Sequence, residues 1–218
     1  MPSDPRPLNL IAADALPPMI APARTALVII DAQVDFISPN GALGRAGLDM
    51  AAFEAPLQRI EALIEAARHA GTTVVLVRVI TRPETDSTAL KLLAARKGEP
   101  PDSIAICRAG TPGADYYRLR PEAGDLQIEK ILFSSFHGTD FDAQLRARGI
   151  DTLVVAGFTT ECCVDCTVRD AFHHGYNLFV VPDACAAYED ELHSGAIYAL
   201  SQTCALLAAT DAIITAWA

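Results

Sequence analysis

Three residues carry the chemistry this sequence could do, and the first is a thiol. The stretch Gly157 to Thr167 reads GFTTECCVDCT, follows the apolar run Thr152 to Ala156 (TLVVA) and opens a helical pattern. A cysteine in the first turn of a helix faces unpaired backbone N–H groups and the positive end of the helix dipole. Its thiol pKa should fall, and the same N–H groups can hold an oxyanion. Position makes Cys163 the candidate nucleophile. Two plainer readings compete with it: cysteines are commonly small buried hydrophobes, and Cys163-Val-Asp-Cys166 could be a redox or metal-binding C-x-x-C. A zinc site would need a second ligand pair, and the sequence offers none at suitable spacing.

Asp31 ends the apolar run Ala26 to Asp31 (ALVIID), and Lys130 ends Leu126 to Lys130 (LQIEK). An acid can take the thiol proton and pass it to a leaving amine, while a cation beside both steadies the charges. Taken singly, a strand-end Asp is often a cap and a Lys is usually on the surface. Their worth depends on being brought together.

The elements that must do this alternate. ALVIID, Thr73 to Val79 (TVVLVRV), TLVVA, Leu178 to Val181 (LFVV) and Ala212 to Thr215 (AIIT) read as buried strands. Helical spacing runs over Pro56 to His69, Phe141 to Ala147, Cys163 to His174 and Asp190 to Leu207, with Gly71 stopping the first. Strand-helix alternation predicts an α/β fold, a parallel sheet with helices on both faces and a site at the carboxyl ends of the strands.

Residues 81 to 129 interrupt the alternation with five prolines and one helical patch, Thr88 to Lys97. So long an excursion reads as a substrate-site loop or lid, against the plainer reading of a solvated loop. Residues 81 to 130 hold eight basic and eight acidic side chains, while the rest of the chain holds nine against nineteen. The segment is therefore the least acidic part of the molecule.

The chain has 218 residues, 51% of them hydrophobic and 20% charged, enough for one core and far from the composition of disorder. One domain over 1–218 is expected. A net charge of −10 argues against nucleic acid and anionic membranes as partners. The start, MPSDPRPLNL, reads neither as a leader nor as an anchor, and the six cysteines are too sparse for a disulfide scaffold, so a cytoplasmic protein with reduced thiols is expected. Neither G-x-G-x-x-G nor G-x-x-x-x-G-K-[ST] is present, so no nucleotide cofactor is expected.

ALVIIDAQVDF (26 to 36), GTPGAD (110 to 115) and the block EKILFSSFHGTD through VVPDACAA (129 to 187) together resemble the isochorismatase-like cysteine hydrolases. The ordered D-x-Q-x-D-F, K-x-x-x-S-x-F and G-x-x-T-x-x-C-V blocks carry the likeness, and the lid matches least. The resemblance implies a three-layer Rossmann-like fold with a six-stranded parallel sheet. It maps an Asp–Lys–Cys triad onto Asp31, Lys130 and Cys163, the register before Val164 setting aside Cys162. It puts a cis peptide at Phe158–Thr159, and the N–H groups of Thr159 and Cys163 in an oxyanion hole. True isochorismatases lack the cysteine. Nicotinamidases add a metal on Asp-x-His and further histidines, whereas this sequence has only His69 between the first strand and Lys130. The resemblance therefore implies a metal-free, cofactor-free amidohydrolase, similar to those acting on N-carbamoyl compounds, ureidoacrylate or biuret.

Gln33, Phe36 and Phe136 are expected pocket walls by the same likeness, with core packing as the alternative for the phenylalanines. Among the lid arginines, Arg108, Arg118 and Arg120, one is expected to fork onto a substrate carboxylate, Arg108 first among them; surface pairing with nearby acids is the alternative. A nicotinamidase-like or other isochorismatase-family hydrolase, or a small-molecule-binding protein that keeps the fold without turnover, is the competing function. Apolar helical faces suggest a homo-oligomer.

Overall fold

The computed structural model describes residues 8–218. Six parallel strands form one sheet in the order β3-β2-β1-β4-β5-β6, with β1 (Thr25–Ile30) and β4 (Thr152–Phe158) at its middle. Every residue of both is buried, as expected of strands covered on two faces. β2 is Thr73–Val79, β3 Leu126–Lys130, β5 Asn177–Ala186 and β6 Leu206–Leu207.

Alternation along the strands divides the core in two. Leu27, Ile29, Leu76 and Val154 meet the Glu54–Ala70 helix through Leu57, Ile60, Leu63 and Ile64, and the C-terminal Ile213 and Trp217 belong to the same layer. Val28, Val77, Ile128 and Val155 face the other way, onto Phe141, Leu145, Val168, Ile197 and Leu200. The sandwich is thus helix, sheet, helix, in agreement with the fold class the sequence implies.

Two expected elements exchange roles at the C-terminus. AIIT is no strand: Thr210–Trp217 is a helix, its first N–H held by the Asp183 carboxylate at 3.0 Å and its Trp217 indole donating to the Ile20 carbonyl at 3.0 Å. Ile213 and Trp217, four apart, both face the core. The helix expected to run to Leu207 ends at Thr203 instead, and Leu206–Leu207 pairs with β5 as the short sixth strand. A four-residue apolar run cannot distinguish strand from buried helix. β5 also outruns its expected end at Val181, with its pairing to β4 shifting register across Pro182, which has no N–H to donate.

The 81–129 segment holds its helix where the spacing puts it, Thr88–Lys97, between a Ser87 hydroxyl that accepts the Leu90 N–H and Gly98 in the left-handed conformation. Among the described residues no helix is long and apolar enough to cross a membrane.

Candidate active site

β1 continues its ladder one residue past Ile30, the Asp31 N–H donating to Val77 at 3.0 Å, and then turns sharply with φ of 51° at Asp31. The turn leaves the Asp31 carboxyl wholly buried at the carboxyl end of the sheet. Lys130, at the same end of β3, donates to it at 2.6 Å. The remaining ammonium hydrogens go to the carbonyls of Leu132 and Phe133, at 3.0 and 2.7 Å. All three donors of this buried cation are used. Burial works against the charge of Lys130, but attraction to the Asp31 carboxylate outweighs it and holds the pKa above its ordinary value. Burial also raises the Asp31 carboxyl, with Lys130 opposing the shift. Among the described residues, Asp31 Oδ1 has no conventional hydrogen-bond partner, and the carboxyl interacts with the Cys163 thiol.

β4 brings the thiol. Its end approaches β1 so closely at Gly157 that a Cβ there would stand 2.2 Å from the Ile30 carbonyl oxygen, with φ at 127°. Only glycine fits. The Phe158–Thr159 peptide that follows is cis, and the chain then winds through a wide turn, Thr160–Val164, before the Asp165–His173 helix begins. Within that turn the Thr159 carbonyl accepts the N–H groups on either side of Cys163, those of Cys162 and Val164, both at 3.2 Å. Thr160 is fixed from outside, its hydroxyl 2.8 Å from His193 Nδ1.

The expected lowering of the Cys163 pKa is corrected. Contact with the Cys162 side chain, burial and the neighbouring Asp31 charge push this thiol well above its ordinary value, while the same contact lowers Cys162. A helix start cannot offset the Cys162 contact and burial here. Cys163 rests as a thiol and needs a base to become a nucleophile.

Cys163 and Thr159 open onto a cavity of about 320 Å³, lined also by Phe36, Phe158 and Tyr188. Other expected site residues lie elsewhere. Gln33 is buried outside the cavity: its amide donates to the carbonyls of Val79 and Ala114, both at 2.9 Å, and its oxygen accepts the Val79 N–H at 2.7 Å. It fixes the end of β2 against β1. Phe136 lies in the core against Phe141 and His174, at 4.8 and 4.9 Å between ring centres. Arg108 is corrected too, because both its terminal nitrogens bind the Asp86 carboxylate, one at 2.8 Å. Arg118 is held by Glu54 and Glu61. Neither guanidinium lines the cavity.

Sequence reasoning passed over Tyr188, whose hydroxyl donates to the Phe36 carbonyl at 2.8 Å and joins two walls. Its place just beyond β5 was the available signal. Among the described residues no three His, Cys, Asp or Glu side chains gather as a metal site requires.

A parallel sheet with an acid, an ammonium and a thiol converging at one edge places the chain among the α/β proteins that work at their carboxyl strand ends. The chain belongs to the isochorismatase family, whose domain model matches residues 25–212. A ureidoacrylate amidohydrolase of Methylobacterium radiotolerans is 34% identical over 83% of this chain and 74% of its own. Among solved structures, a cysteine hydrolase from Pseudomonas syringae pv. phaseolicola superposes with a TM-score of 0.81 at 28% identity, covering 91% of this chain and 94% of that one. An N-carbamoylsarcosine amidase from Thermoplasma acidophilum gives 0.68 at 28%, covering 86% and 97%.

Proposed function

We propose that the protein is a cysteine amidohydrolase that cleaves a C–N bond of a small amide, ureido or N-carbamoyl compound. The observation that carries this is the convergence of Asp31, Lys130 and Cys163 beneath the cavity. The amidohydrolases among its relatives support the same reaction class.

Asp31 takes the Cys163 proton as sulfur attacks the carbonyl carbon, and negative charge moves to the substrate oxygen, where the N–H groups of Thr159 and Cys163 receive it. Collapse of this adduct breaks the C–N bond, and Asp31 returns its proton to the departing ammonia or amine. The acyl group remains on sulfur as a thioester, or as a thiocarbamate from a ureide. Water then attacks while Asp31 accepts its proton, the C–S bond breaks, and that proton returns to sulfur as the acid leaves. Lys130 stays charged throughout and stabilises the Asp31 carboxylate. A burial-raised carboxyl suits both halves of this shuttle, since an acid-base group works best with its pKa nearer the operating pH.

Ammonia release, screened over simple amides, ureides and N-carbamoyl amino acids, tests the reading: at least one group should be turned over, and silence across all of them overturns it. The free state of all six cysteines supports a reducing, cytoplasmic setting. Exposed Leu92, Phe172 and Leu206 support a homo-oligomer, to be checked by light scattering after size exclusion.

A further inference from the structure

The walls of the cavity say more about the substrate than its floor does. The lid helix turns Leu90, Leu93 and Ala94 to the cavity, residues three and four apart that share one helix face. Ile104 and Ile106 from the following loop and Ile131 and Phe133 from beyond β3 line it as well. The polar groups among these walls are already engaged with protein. Thr81 donates to the Ile106 carbonyl at 2.6 Å, Tyr188 to Phe36, and Ser103 to Glu99 at 3.2 Å. The Leu132 and Phe133 carbonyls are held by Lys130. The charged lining residues are Lys97 and Glu99, both exposed and of opposite sign, on either side of Gly98 where the lid helix ends. Arg108 and Arg118 are bound to acids, and neither they nor the exposed Arg120 line the cavity.

Resting on the amidohydrolase reading, we infer that the substrate is an amide or ureide whose body beyond the scissile carbonyl is apolar, and that Leu90 and Leu93 select it. A polar or anionic body would lose its water against these walls, with only the exposed Lys97 at the end of the lid helix to answer a negative charge, whereas an alkyl or aryl body removes apolar surface from water on both sides.

The test is kcat/KM for ammonia release from a straight-chain series, acetamide to hexanamide, with ureidoacrylate beside it. The inference expects about a fourfold rise per added methylene until the cavity is full, with ureidoacrylate below the longer amides. In Leu90→Asn and Leu93→Asn the increment per methylene should shrink; Leu93 is half exposed, so its replacement leaves the core untouched. Rates that are flat or fall with chain length, while ureidoacrylate is turned over, overturn the inference and leave the amidohydrolase reading standing. An unchanged increment in both variants overturns the role given to the lid leucines. Loss of the increment together with a changed particle mass would assign that face to assembly and likewise overturn the selection role. No ammonia from any amide or ureide removes the amidohydrolase reading and this inference with it.

Discussion

Lys130 reaches Asp31 across a strand to which neither belongs. The two residues lie at the carboxyl ends of β3 and β1, β2 lies between them, and the ammonium closes the gap at 2.6 Å. Adjacent strands stand about 4.8 Å apart, so a lysine stem has the length for this span and a shorter cation does not. The pairing holds a carboxyl that is wholly buried, and burial rather than the cation decides the direction of its pKa.

That direction gives a pH prediction. As pH falls through the raised Asp31 value, the carboxylate takes a proton and can no longer accept one from Cys163. The acid limb of kcat/KM should therefore lie above the ordinary carboxylate range, with activity rising as pH increases through it. Asp31→Asn should lower kcat/KM by roughly 10² to 10⁴ and abolish that limb. A profile flat into the ordinary carboxylate range, or an Asn variant with the wild-type limb, would remove Asp31 from the proton path.

The three neighbouring cysteines should separate cleanly. Cys163→Ser should lose turnover by roughly four orders of magnitude or more, while Cys166→Ser remains active. Cys162→Ala removes the contact that most raises the Cys163 thiol, so Cys163 should ionise more readily and alkylate faster with iodoacetamide at neutral pH. Peptide mapping of the labelled protein reads the outcome. Slower labelling of Cys163 in that variant would contradict the assigned cause.

Strand ends and helix starts were legible because they follow from local pattern: ALVIID, LQIEK and the turn before Val164 each present one chemical residue at the same sheet edge. Partnerships over long sequence separations were not. Nothing in the sequence distinguishes an Arg108 free to bind substrate from one clamped by Asp86, or a Gln33 facing the cavity from one spent on Val79. Phe136 had two equal readings, and only its stacking with His174 decides between them. AIIT failed for a different reason, since its burial is real but its period is too short to read. Likewise, the helix-start argument for Cys163 omitted the Cys162 contact and the burial that the fold imposes on it.

Gly157→Ala tests how closely the two central strands must approach. The added methyl would meet a backbone oxygen that cannot move without breaking the sheet, and at a positive φ that side chains avoid. Overpacking and backbone strain together should cost roughly 2 to 6 kcal/mol, read as a fall in the urea midpoint with little change in slope. A midpoint within experimental scatter of wild type would show that β1 and β4 can separate at Ile30.

Gln33 offers the last test, because its role as a tether and a role in touching substrate predict different things. Gln33→Ala leaves the Val79 N–H without its side-chain acceptor and two carbonyls without a donor, in a fully buried place, so a loss of about 1–3 kcal/mol is expected. Gln33→Glu keeps the shape and the acceptor for Val79 but, when ionised, turns two donors into negative charge facing carbonyl oxygens. Burial raises the pKa of such a carboxyl in the folded state above its unfolded value. A group shifted that way binds its proton more tightly when folded, so its contribution is present at low pH and is lost as pH rises through the folded value. The stability of Gln33→Glu relative to wild type should therefore improve as pH is lowered from neutral, while that of Gln33→Ala relative to wild type stays level. Urea denaturation at a series of pH values measures both. If instead both variants keep wild-type stability and differ only in KM, Gln33 belongs to the substrate and not to the frame.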